Sequence, residues 1–306
     1  MRGRVTKIFL ALISTSLTLL ALEALLRFAE GRPLRSVDGV VLWSTRSPRA
    51  EPADIQRAAA DPRAFKILGL GDSVMYGVSE PKEQTYLEYA RRVLAQRAQR
   101  PVEIINLAVP GFNTVQEDAV YKEIEGQLTP NLVVVHALPN DTAQYVSDGA
   151  YVYDTRALPE NSDARVRFPF AARVNDALLA HSRVYDRLYA LVLRRRVDWS
   201  NLQDPPGGEA RMCAALVQIH ERAQRAGARL LVLSSADLRR PLSNQLPAAL
   251  RQCASRQGIE VIDLTEWLGG VDADGIALDD YHFNEEGHRR VGEALATYLL
   301  AHDLRE

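Results

Sequence analysis

The alternation of apolar and polar positions changes its rhythm several times along this chain. In the run KIFLALISTSLTLLALEALLRF, from Lys7 to Phe28, the positions between Lys7 and Arg27 are apolar apart from serines, threonines and Glu23. At about 1.5 Å per helical residue, some twenty residues cover roughly the 30 Å hydrocarbon core of a bilayer, so residues 1–28 read as an N-terminal transmembrane anchor. Glu23 stands one turn before Arg27, where the two can pair toward the interface. A cleaved signal peptide needs small residues ahead of the cut. The best site, after Ala24, puts Leu22 at the other key position, so the uncleaved anchor is favoured and secretion after cleavage is the alternative. Arg2, Arg4 and Lys7 precede the span while Arg27, Arg32 and Arg35 follow it, so charge counting barely orients it. A short basic tail leading straight into an apolar run still reads as a signal-anchor with its N-terminus inside, which leaves the rest of the chain extracytoplasmic (periplasmic).

Residues 29–63 are rich in Arg, Pro, Ser and Asp without a sustained period and read as a linker or lead-in. Beyond them, short continuous apolar runs alternate with helical patterns. FKILGL (65–70), VEIINLA (102–108), NLVVVHA (131–137), ARLLVLSS (228–235) and IEVIDL (259–264) have the character of strands covered on both faces. Helical stretches fall at 82–98, 114–127, 210–226, 244–257 and 286–302. This alternation predicts a doubly wound α/β domain over 64–304 with a parallel five-stranded sheet, whose ligands bind beyond the carboxyl ends of the strands. About ninety residues separate the third strand from the fourth, more than a crossover needs, which marks an insertion at about 145–205. Within it, 145–155 reads as a small hairpin or loop and 171–199 as a long helix or helical pair. The insertion is either elaborated scaffold or a cap over the site.

Composition narrows the classes. With 306 residues, 47% hydrophobic, 25% charged and a net charge of −2, the chain has ordinary globular values and no electrostatic footprint for nucleic acid. Arg194–Arg196 read as a solvated helix face. Cys213 and Cys253 have no zinc-type spacing and form no Cys-x-x-Cys motif; both fall in helical segments, as one disulfide in an exported domain or as two buried thiols.

Four polar clusters follow strand ends. After the first strand comes Gly71-Asp72-Ser73, with Gly77 four residues beyond the serine; a glycine-rich strand-to-helix turn can expose a serine oxygen and leave a backbone amide to donate. Pro110-Gly111 closes the second strand, where the Gly111 N–H can approach a developing oxyanion. Leu138-Pro139-Asn140-Asp141 follows the third, where the Asn140 amide can donate to the same oxygen. LDDYHFNEEGH precedes the last helix: Asp279 and His282 are three apart, a spacing that lets a carboxylate hold the imidazole nitrogen facing away from the serine. Asp280 is the rival carboxylate, and His288 reads as a packing or capping residue. Each cluster alone reads as an ordinary turn. Together they place a nucleophile, two oxyanion donors and an acid–base pair at strand ends, in the order Ser…Asp…His.

In this order the blocks resemble the SGNH (GDSL-type) hydrolase superfamily, over roughly residues 65–300, as a membrane-anchored bacterial member. The resemblance implies a three-layer α/β/α sandwich. It makes Ser73 the nucleophile, His282 the general base and Asp279 its orienting partner, with an oxyanion hole from Ser73, Gly111 and Asn140, and it implies no metal or organic cofactor. Its Asp-x-x-His spacing selects Asp279 over Asp280, and HFNEEGH (282–288) matches the family's entry into the last helix. The third block departs from the usual Gly-x-Asn-Asp, since Leu138 holds the glycine position; a bulkier residue there is expected to form a wall of the acyl pocket. Met75 stands two residues after Ser73, so the Gly-x-Ser-x-Gly elbow of ordinary α/β-hydrolases is absent.

Three functions fit these residues. One is a serine esterase, a lipase-like hydrolase removing O-acyl groups such as acetyl from cell-surface glycans or lipids. Another is an O-acyltransferase of exopolysaccharide that passes the acyl group to a sugar hydroxyl. The third is a binder of glycan or protein without chemistry, which the complete set of five positions disfavours. Tyr145, Tyr151, Tyr153 and Trp199 could stack on sugar rings or simply pack.

Overall fold

The computed structural model describes residues 13–26, 35–37, 40–42, 48–138, 141–142, 208–235, 246–269, 271–279 and 281–304, with isolated positions at 170–188 and at 238. A small antiparallel hairpin, β1 (Arg35–Val37) and β2 (Val40–Leu42), comes first, followed by α1 (Pro52–Ala60). Next come β3 (Phe65–Leu70), a one-turn helix α2 (Ser73–Tyr76), a 3-10 turn (Lys82–Gln84) and α3 (Tyr86–Arg97). β4 (Val102–Asn106), α4 (Thr114–Ile124) and β5 (Leu132–Ala137) complete the first half. The second half holds α5 (Gly208–Arg225), β6 (Arg229–Ser234), α6 (Leu246–Gln257) and β7 (Glu260–Asp263), then the single turns α7 (Leu264–Trp267) and α8 (Ala273–Ile276), and finally α9 (Glu285–His302).

The five main strands form one parallel sheet in the order β4-β3-β5-β6-β7. Period-two alternation divides each strand between two cores. Leu68, Leu70, Val133, Val135, Leu230 and Val232 face α1, α4, α5 and α6. Ile67, Leu132, Val134, Leu231 and Leu233 face α3, α9, α7 and α8. Helices thus cover both faces of the sheet, which is why its strands read as unbroken apolar runs. The order reverses at β3, so the turns after β4, β3 and β5 lie side by side at the carboxyl edge, where such sheets bind ligands.

Residues 29–63 are more than a linker. Leu42, Ala50 and Ala58 are buried in the first core, and Val37 and Ile55 pack against it. Three-residue strands are too short to show a period, so the sequence pattern missed them. Cys213 on α5 and Cys253 on α6 are joined in a disulfide, which settles the choice between bridge and free thiols. The spanning segment expected over 1–28 and the insertion at about 145–205 lie partly outside the described residues. Among those described, residues 13–26 are helical, and no helix is long and apolar enough to cross a membrane. Glu23 accepts hydrogen bonds from the Ser182 hydroxyl and the Val184 N–H; the Arg27 expected to pair with it lies outside the described residues.

Candidate active site

The loop after β3 turns sharply because its side chains leave no alternative. A Cβ on Gly71 would sit 2.8 Å from the Met75 Cβ, so only glycine lets the chain fold back so closely. Asp72 caps α2 by accepting the Val74 N–H at 3.0 Å. Gly77, in the left-handed region at φ +69°, ends the turn and donates to the carbonyls of Ser73 and Val74. Two residues unnoticed in the sequence hold this turn from outside. Arg49 donates from Nε to the Tyr76 carbonyl and from Nη2 to those of Gly77 and Glu80, while its guanidinium lies 4.3 Å over the Tyr76 ring. Asn106, at the end of β4, donates to the Met75 carbonyl.

The loop before α9 is equally determined. Leu278 donates to the His282 carbonyl, and Ala277 and Phe283 form an antiparallel bridge that buries the Phe283 ring. Asn284 caps α9 by accepting the Gly287 N–H. A Cβ on Gly287 would lie 2.3 Å from the Ile276 carbonyl oxygen, so glycine there lets α9 approach α8. The Asp279 carboxylate accepts the N–H groups of Tyr281 and His282 through Oδ1, at 2.9 and 2.8 Å.

These two loops meet. His282 Nε2 is 2.8 Å from Ser73 Oγ, and His282 Nδ1 is 2.8 Å from Asp279 Oδ2 and 3.0 Å from Oδ1. Burial alone would raise the Asp279 carboxyl, but the backbone N–H groups of His282 and Tyr281 and then the His282 ring hold it below its ordinary value. The carboxylate is thus kept ionised beside an imidazole that contacts a hydroxyl, a chain that can draw a proton from Ser73 Oγ.

The other expected positions divide. Gly111 lies in the turn beyond β4, half-buried, at φ +80°, a conformation that favours glycine. Leu107 and Val109 donate to the carbonyls of Gly69 and Gly71, which holds this turn beside the Ser73 loop. Asn140 and Asp280 lie outside the described residues, as do Tyr145, Tyr151, Tyr153 and Trp199. The Leu138 side chain is buried in the second core, directly after β5. His288 is the capping residue expected: its Nδ1 accepts the Tyr86 N–H at the start of α3, and burial, then Arg49 and His282, depress its pKa to about 4.

A buried polar layer underlies these turns. His136, on β5, contacts the Tyr86 hydroxyl through Nδ1 and the Ser235 hydroxyl through Nε2, and burial followed by His288 pushes its pKa down to about 3. Asp141 accepts the Thr114 hydroxyl and the Leu138 N–H; burial raises its pKa to about 6 against these hydrogen bonds. Glu117 is buried with both carboxyl oxygens lacking a hydrogen-bond partner among the described residues, and burial, then Asp141 and Asp72, raise its pKa well above the ordinary value. A cleft of about 400 Å³ beside β4 is lined by Asp54, Arg57, Lys82, Glu88, Arg91 and Glu103 among others, whose charges pair with one another. Asn106 reaches its wall, but Ser73, Gly111, Asp279 and His282 do not.

Fold and site define an α/β/α hydrolase whose serine, imidazole and carboxylate converge at the switch point of a parallel sheet. The model of the GDSL-like lipase/acylhydrolase family matches residues 70–290, and the chain belongs to that family of hydrolases. Its structure is similar to that of TesA, at 15% identity and a TM-score of 0.49, over 76% of this chain and 97% of that one. It is also similar to the psychrotrophic esterase EstA from Pseudoalteromonas sp., at 11% identity and a TM-score of 0.47, over 78% and 97% of the two chains. A catalytic mutant of Axe2, an acetylxylan esterase from Geobacillus stearothermophilus, aligns at 13% identity and a TM-score of 0.47, over 81% and 97%. A search of curated protein sequences finds no match.

Proposed function

We propose that this hydrolase is a membrane-anchored serine esterase that removes small O-acyl groups from extracytoplasmic glycans or lipids. The observation that carries the reading is the unbroken chain of hydrogen bonds from Ser73 Oγ through His282 to Asp279, each of 2.8 Å at its shortest. In the proposed cycle His282 Nε2 takes the Ser73 proton as Oγ bonds to the ester carbonyl carbon. The resulting oxyanion is held by the amides of Ser73 and Gly111 and by the Asn140 side chain, each donor worth roughly 3–4 kcal/mol in the transition state. Asp279 stabilises the imidazolium and fixes its tautomer. His282 then protonates the departing alcohol, and a water activated by the same nitrogen releases the acid from the acyl-enzyme.

Two features support an extracytoplasmic site. The apolar run Lys7–Phe28 has the length of a span, and the Cys213–Cys253 bridge is a bond that persists in oxidising compartments. Placing the substrate on glycan or lipid follows from that location.

The test uses the full chain in detergent with p-nitrophenyl acetate, comparing wild type, Ser73→Ala and Asn140→Ala. Turnover is expected to vanish in Ser73→Ala and to fall about 100- to 1000-fold in Asn140→Ala. Equal background rates in all three, with no labelling of Ser73 by a small fluorophosphonate, would overturn the esterase reading. A reporter fused after Glu306 that works only in the cytoplasm would overturn the location.

A further inference from the structure

Asp141 makes contacts that an ordinary turn does not need. Its Oδ1 accepts the Thr114 hydroxyl at 2.6 Å, and its Oδ2 accepts the Leu138 N–H at 2.6 Å. A backbone hydrogen bond from Thr114 reaches the same carboxylate. In return the Asp141 N–H donates to the Leu138 carbonyl at 3.0 Å. Residues 138 and 141 therefore close a ring in both directions, and Asn140 lies between them in the sequence. Thr114, the first residue of α4, follows Gly111 by three positions. One buried carboxylate thus joins the segment that carries Gly111 to the segment that carries Asn140.

The surroundings leave this joint no slack. Thr114 and Asp141 are both buried, and Asn113 and Gln116 form a reciprocal capping box that fixes the start of α4. From the other side, a Cβ on Gly208 would lie 2.2 Å from the Thr142 carbonyl oxygen, so α5 presses directly on the same turn. Leu138 fits this arrangement. With its amide bound to Asp141 and its side chain in the core, it supports the turn as backbone and anchor, functions that do not call for glycine.

We propose that Asp141 and Thr114 are positioning residues that set the separation of the two oxyanion donor segments, holding the turn after β5 at a fixed distance from the turn after β4. The inference rests on the esterase reading above. An oxyanion hole works only when its donors are already in place as charge develops, and a misplacement of about 1 Å costs on the order of 100-fold in rate. Neither residue touches substrate; both act through the donors they hold.

The test compares Thr114→Val, Thr114→Ser and Asp141→Asn in the full chain, with p-nitrophenyl acetate as substrate. Rates are expressed per Ser73 labelled to completion by a fluorophosphonate, so misfolded protein does not count. Valine keeps the shape of threonine without its hydroxyl, and asparagine puts an NH2 where an acceptor must face an N–H. Thr114→Val and Asp141→Asn are expected to lower kcat per labelled site about 10- to 100-fold with KM within about twofold, while Thr114→Ser stays near wild type. If Asp141→Asn fails to fold, the two Thr114 variants carry the test. A wild-type kcat per labelled site in Thr114→Val, with only its melting temperature lowered, would overturn the proposal and leave the joint a stability feature. A wild type that neither labels nor turns over would overturn the esterase reading first, and this one with it.

Discussion

Breaking the bond between Cys213 and Cys253 isolates a single contribution to stability. Reduction keeps both side chains in place and asks the two sulfurs only to move apart to van der Waals distance, so most of the difference lies in the unfolded chain. The bridge closes a loop of 40 residues that includes β6, a central strand whose residues Leu230–Leu233 are buried. Loop-closure entropy gives about 3 kcal/mol for a 15-residue loop and about 4.7 kcal/mol for a 100-residue loop, which puts this bridge at about 4 kcal/mol. With a urea dependence of about 2–3 kcal/mol per molar, the unfolding midpoint should fall by about 1.5 M on reduction. The assay is urea unfolding of the full chain in detergent, followed by far-UV circular dichroism with and without a phosphine reductant. The Cys213→Ala/Cys253→Ala pair should reproduce the reduced midpoint and ignore reductant. Fully oxidised protein whose midpoint moves by less than about 0.3 M, a change below 1 kcal/mol on that slope, would refute the loop-entropy reasoning. Two free thiols in protein recovered from an oxidising compartment would refute the bridge itself and remove one support for the extracytoplasmic reading.

Asp279→Asn turns one of the oxygens facing His282 Nδ1 into an NH2 group and favours the wrong tautomer, so kcat on p-nitrophenyl acetate should fall about 10⁴-fold. The Asp279 side chain is 52% exposed, so the variant should melt with wild type; more than a tenth of wild-type kcat would remove Asp279 from the mechanism. Glu117→Gln should be more stable than wild type at pH 8 and equal to it below about pH 4.5. The folded Glu117 carboxyl titrates well above its ordinary 4.5, so wild type loses stability as pH rises through that window, by about 1.4 kcal/mol per unit, and glutamine does not. Urea midpoints of the two proteins that run parallel across pH 4–8 would refute the buried, neutral carboxyl. In Gly292→Ala a Cβ would meet the Tyr86 carbonyl oxygen and the Tyr89 Cβ, each at 2.5 Å, forcing α9 away from α3 at a cost of about 1–3 kcal/mol. An unchanged midpoint in that variant would show that the two helices separate freely.

Much of this was legible in one dimension. Apolar runs located all five strands of the main sheet to within two residues at each end, because a strand covered on both faces has little freedom in composition. The extended run called for 102–108 stops at Asn106, whose side chain bends the backbone by accepting the Ala108 N–H while donating to Met75. Gly71 and Gly77 have local reasons, a clash with Met75 four residues on and a left-handed φ, whereas Gly287 gains its reason only from packing, since a Cβ there would strike the Ile276 carbonyl of α8. Arg49 shows the opposite failure. It falls in a stretch without periodicity, and nothing local signals that it holds three carbonyls around the Ser73 turn.

What was written locally was therefore decided locally: which segments extend, which coil, where the turns must carry glycine, and the order in which a serine, an aspartate and a histidine appear. The tertiary structure decided what depends on distance between remote segments. Ser73 and His282 are 209 positions apart, and their 2.8 Å contact exists because β3 and the loop before α9 end at the same edge of the sheet. The same holds for the bridge between α5 and α6, for the carboxylate of Asp141 reaching Thr114, and for Leu138 turning inward. Each of these is a choice among partners that backbone propensity leaves open, and only the burial of two apolar cores on either face of the sheet selects one.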